Sequence, residues 1–113
     1  MTDDQNQKDI YSAYFELHTS LREAYWSTPD EATGDKITGV ADACYNILTE
    51  LNRAKIKKQT AEYNELKDFA EKTNIRLNKV KEDIDQIIHS VSVATKVVDG
   101  IEKVLTLAAK FFV

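Results

Sequence analysis

Three glycines and one proline are all the strong backbone breakers in this chain of 113 residues. Average usage would supply roughly eight glycines and six prolines. So few turn-formers exclude the frequent tight turns of an all-β fold, and the expected class is all-α. One cysteine, Cys44, rules out an internal disulfide. The sequence holds no Gly-rich phosphate loop, no Ser-His-Asp set and no second Glu-x-x-His, so it points to no cofactor, no metal and no enzymatic chemistry. The start, MTDDQNQKD, has neither a basic region nor an apolar one, so no secretory signal is read there and the expected compartment is cytoplasmic.

What is present is charge and helical periodicity. Apolar residues make up 42% and charged residues 30%, a balance suited to a folded chain of one small domain. The net charge of −4 is unevenly spread. Residues 1–35 hold eight acidic and two basic groups, a net −6, and the remaining thirteen basic and eleven acidic groups leave +2. This split predicts intramolecular or head-to-tail complementarity and speaks against nucleic acid as a partner.

A first helix is expected over about 5–26, where Ile10, Tyr14, Leu17, Leu21 and Ala24/Tyr25 recur at gaps of three and four. Tyr11, Phe15 and Trp26 fall off that stripe and are candidates to dock a partner, or else widen the core face. Thr28, Pro29 and Glu31 read as a capping box opening a second helix over 29–58, with Gly34 and Gly39 weakening its first turns. Its stripe is Ile37, Val40/Ala41, Cys44, Ile47/Leu48 and Leu51, and it ends in the basic run RAKIKK (53–58), placed as the helix dipole prefers. These two helices should form an antiparallel hairpin.

The third predicted helix, 60–112, carries the most regular pattern. Tyr63, Leu66, Ala70, Thr73, Leu77, Val80, Ile84 and Ile87 continue in heptad register through Val91, Ala94, Val98, Ile101, Leu105, Ala108 and Phe112. A narrow seam up to residue 86 broadens after Ile87, where Val97, Val104 and Phe111 join it. Lys96, Asp99, Glu102 and Lys103 exclude a bilayer-spanning role for this segment, since each charge costs about 2.5–3.5 kcal/mol at a membrane centre. As one helix, its broad half would project beyond the hairpin and need cover from another chain. The alternative is a break near 89–92 or 100, with Ser90 or Ser92 as cap, giving a four-helix bundle.

The uninterrupted register favours the first of these. The expected fold is thus a helical hairpin plus a long coiled-coil-like helix. The expected function is a non-enzymatic interaction module that binds itself, as a homo-oligomer, or a partner helix. Its interface would be Val91, Val97, Val98, Ile101, Val104, Leu105, Ala108, Phe111 and Phe112. Two other readings stand beside it. In one, this helix docks on a membrane with Lys96, Lys103 and Lys110 toward head groups. In the other, the chain is a small monomeric four-helix bundle that binds and neutralises a specific protein through its acidic N-terminal face. The remaining candidates read as structural. Cys44 is a small buried hydrophobe, His18 a boundary residue, Asp85 and His89 a solvent-facing i,i+4 pair, and RAKIKK a set of C-terminal dipole partners.

Overall fold

In a computed structural model of the chain, residues 3–52 and 60–112 are described, residues 3 and 4 by their backbone alone. The fold is all-α. Helix α1 (Asp3–Ala24) runs into a short 3-10 turn (Tyr25–Ser27), followed by α2 (Glu31–Leu51), α3 (Ala61–Glu82), a single turn α4 (Ile84–Ile87) and α5 (Val91–Phe111). The four long helices form an up-down-up-down bundle. α1 lies between α2 and α5, and α3 closes the square.

The expected stripes build the core. Ile10, Tyr14, Leu17, Leu21 and Ala24 are dry on α1, as are Ile37, Cys44, Ile47 and Leu51 on α2. On α3 the narrow seam of Tyr63, Leu66, Ala70, Thr73, Leu77 and Val80 is buried. Thr73 is the buried polar side chain of the core among the described residues, and no buried side-chain N or O there lacks a partner.

One helix start differs from expectation. The carboxylate of Asp30 accepts from the Thr33 amide at 2.8 Å and caps α2. Thr28 instead turns its hydroxyl back onto the Tyr25 carbonyl at 2.9 Å, so the capping box predicted at Thr28 is replaced by a cap two residues later. Pro29 then lies ahead of the helix rather than at its first position. α3 begins at Thr60, whose hydroxyl accepts from the Tyr63 amide at 3.1 Å. The basic run 53–58 lies outside the described residues.

The larger correction concerns 60–112. It is not one helix. α3 ends at Asp83, Ile88 is extended (φ −126°, ψ 121°), and the Ser90 side chain accepts from the Val93 amide to start α5. The His89 amide donates to the Ser27 carbonyl at 3.1 Å, tying the 88–90 reversal to the α1–α2 corner. A straight helix over these residues would span roughly 75 Å at 1.5 Å per residue, whereas the longest extent of the molecule is 42 Å. The break near 89–92, the alternative in the sequence reading, is the one that occurs. Burial explains it. Folding back lets α5 set Val97, Ile101, Val104, Ala108 and Phe111 against its own chain, and each large apolar side chain removed from water is worth roughly 1.5–3 kcal/mol.

α5 and α1 pack tightly. A Cβ on Gly100 would stand 3.2 Å from Leu17 Cδ1 and 3.7 Å from Leu17 Cα, so glycine permits the helices to approach closely here. Beside that contact, Lys103 Nζ meets Glu16 Oε2 at 3.4 Å and Lys96 Nζ reaches Glu23 Oε2 at 4.0 Å. The charge asymmetry between the two ends of the sequence is in this measure neutralised within the molecule.

Candidate functional site

The surface expected on the last helix is largely interior. Val97, Ile101, Val104, Ala108, Phe111 and Phe112 are all buried in the chain's own core. Phe111 and Phe112 stack edge to face at 4.9 Å and both lie against Tyr63, whose hydroxyl donates to the Phe111 carbonyl at 3.2 Å. Only Val91, Val98 and Leu105 of the nine remain exposed or half-buried. The supposition that this segment has no cover within its own chain is therefore corrected. The buried stripe has rotated by one heptad position relative to α3, moving these three residues to the edge. Val91 and Val98, with Ile84, flank a groove of about 430 Å³ between α4 and α5.

The apolar side of α5 faces the core, and Lys96 and Lys103 face α1 carboxylates. No helix among the described residues is long and apolar enough to cross a membrane.

The isolated chemical candidates fall into structural places. Burial pushes the Cys44 thiol up to about 12, against a smaller opposing pull from Arg76, which makes it a poor nucleophile. Cys44 shares the interior with Tyr14, whose hydroxyl donates to Asn74 Oδ1 at 2.8 Å and whose ionisation burial also disfavours. Asp85 and His89 are not paired across a helical turn, because α4 ends between them. Among the described residues no cluster of His, Cys, Asp and Glu could hold a metal ion.

One outward face has a composition that sets it apart. Phe15 and Arg22 on α1 and Trp26 in the 3-10 turn that follows it point away from the core, and Arg22 and Trp26 lie next to α2. Phe15 is 51% exposed and Trp26 is 83% exposed. From α2, Tyr45 stands 54% exposed and lies over His18, ring centroids 5.5 Å apart. Tyr11 stacks on Phe15 at 6.3 Å, and Tyr25 meets Trp26 edge to face at 5.1 Å. Between Trp26 and α2 lies a cleft of about 570 Å³. Leu21 and Ala41 form its floor, and Arg22, Thr38 and Asp42 its polar rim. Burial, with Arg22 adding to it, holds His18 below its ordinary range, while Asp42 opposes weakly.

The off-stripe positions of Tyr11, Phe15 and Trp26 mark half of this face in the sequence. Tyr45 was missed. It stands next to Cys44 on the far side of the stripe, and only the packing of α2 on α1 shows that it joins the same surface. The same face carries an acidic line on α2. Glu31, Asp35 and Asp42 are exposed and, among the described residues, make no salt bridge. Comparison with family models, with curated proteins and with solved structures finds no match.

Proposed function

We propose that this protein is a non-enzymatic helical bundle that recognises a specific protein through the outward face of α1 and α2. The observation that carries this reading is Trp26, 83% exposed at the lip of a cleft, with Arg22, Phe15 and Tyr45 on the same face. Trp, Tyr and Arg dominate the binding energy of protein interfaces because each combines large contact area with a polar handle. Leaving such groups in water gains the fold nothing, and binding would recover that cost.

Among the three sequence readings, this is closest to the compact bundle that binds and neutralises a partner. It replaces the interface on α5, because the bundle itself covers most of that helix. The acidic N-terminal third contributes differently from expectation. Its Glu16 and Glu23 are engaged by α5, while Glu31 and Asp35 at the start of α2 stay exposed.

Site-specific photo-crosslinking tests the reading. A benzoylphenylalanine replacing Tyr45 or Phe15, in cells of the source organism, should yield one discrete heavier adduct. The same group at Ile75, which is 72% exposed on the far side of α3, should yield none. Equal adducts from positions 45 and 75, or adducts from 75 alone, would overturn the assignment of the face.

A further inference from the structure

From charge and geometry together we infer that the partner of this face presents a basic amphipathic helix. This rests on the protein-binding reading above and names the chemistry of the partner. Two of the three basic groups of α5 are committed, Lys103 to Glu16 and Lys96 to Glu23, while Lys110 lies at its far end. α2 has no such complement along Glu31, Asp35 and Asp42, which share one outward stripe with Thr38 and Tyr45. The acidic line covers twelve residues, about 16 Å of helix, and Trp26 and Arg22 stand beside its Asp42 end across the cleft.

The cleft between α1 and α2 carries Tyr25 and Trp26 on one wall and Thr38, Ala41 and Asp42 on the other, and with Glu31 and Asp35 further along the exposed side of α2 it suits a third helix laid into it. The guest's apolar stripe would sit over Trp26, Phe15 and Tyr45, and its Lys or Arg side chains would reach the carboxylates. Arg22 is the one cation in this pattern and lies within reach of a carbonyl or carboxylate at a guest helix C-terminus. An anionic membrane is disfavoured as the occupant, because three exposed carboxylates without a salt bridge among the described residues border the apolar side chains that would have to insert.

Trp26 is the only tryptophan in the chain, so its fluorescence reports this surface directly. The probes are a synthetic Leu/Lys amphipathic helix free of tryptophan, its Leu/Glu counterpart, and phosphatidylglycerol vesicles. Expected on adding the Leu/Lys peptide is a saturable blue shift of Trp26 emission, weakened several-fold in about 1 M salt, where the Debye length falls to about 3 Å. The triple variant Glu31→Lys, Asp35→Lys, Asp42→Lys should weaken it about tenfold. A matched reversal on α3, Glu65→Lys, Asp68→Lys, Glu71→Lys, should leave it nearly unchanged. Circular dichroism establishes that each variant is folded.

Equal weakening by the two triple variants would reduce the effect to net charge and overturn the inference. So would an equal response to the Leu/Glu peptide, or a response to the vesicles alone. If the peptide tests fail while the crosslink from position 45 persists, the basic-helix partner falls and the α1–α2 face stands. Loss of both results removes the face as well.

Discussion

Cys44 and His18 show how burial sets the chemistry of single residues here. An ordinary thiol ionises near 9.0, and burial moves that of Cys44 to about 12. The neutral thiol therefore favours the folded state below about pH 9, and this contribution fades as the pH rises toward 12. At pH 8 a thiol reagent such as dithionitrobenzoate should react with the native protein far more slowly than with the protein in guanidinium chloride. Comparable rates would mean the site is accessible. His18 carries the opposite sign. Its folded value lies below the ordinary 6.5, so the unfolded chain takes up a proton first on acidification. The stability it lends is complete above about pH 6.5 and is lost as the pH falls through the lowered folded value. Since the ring is only half-buried beneath Tyr45, the effect is small. Thermal melts of the wild type and of His18→Asn should converge as the pH falls from neutral toward the acid side. Parallel curves would place that pH dependence elsewhere.

At the scale of elements, the helical stripes were legible in sequence because a 3.6-residue period requires only an inward and an outward side. The stripe positions predicted for α2 are all buried, and so are those of α3 up to Val80. Boundaries were less legible. Thr28 and Asp30 both offer a side-chain oxygen near the start of α2, and only backbone geometry decides which one reaches an amide. The continuous heptad through 84–98 hid a reversal, since Val91, Val98 and Leu105 keep the spacing in sequence although the buried stripe of α5 is shifted by one position.

The break also makes separable predictions for α5. Val97→Asp or Ile101→Asp would bury a carboxylate in a dry core, costing several kcal/mol, and should abolish the cooperative thermal transition seen by circular dichroism. Val91→Asp, at a position 81% exposed, should leave the melting temperature nearly unchanged. Ser90→Ala removes the α5 cap at a cost of about 0.5–2 kcal/mol, measured by urea unfolding. If α5 were instead an intermolecular helix, the Val97 and Ile101 variants would dissociate an assembly and keep their helicity.

For the whole molecule, the consequence is that the broad apolar stripe needs no second chain. We expect sedimentation equilibrium at tens of micromolar to report the mass of one chain, 12.8 kDa. A dimer that survives both Trp26→Ala and Val91→Asp would show an interface at neither of these two exposed side chains. The candidate face belongs to this scale too. Phe15, Trp26 and Tyr45 lie up to thirty positions apart in sequence and meet only because α2 returns antiparallel to α1. No period within one helix carries that information.

By itself the sequence determined the helical class, the inward stripes and the acid–base split between its two ends, because each follows from local spacing and composition. The tertiary structure decided where the chain turns back and which apolar side chains remain in water. Those outcomes depend on which surfaces find cover within the same molecule. A periodic pattern states how much must be covered without naming what covers it.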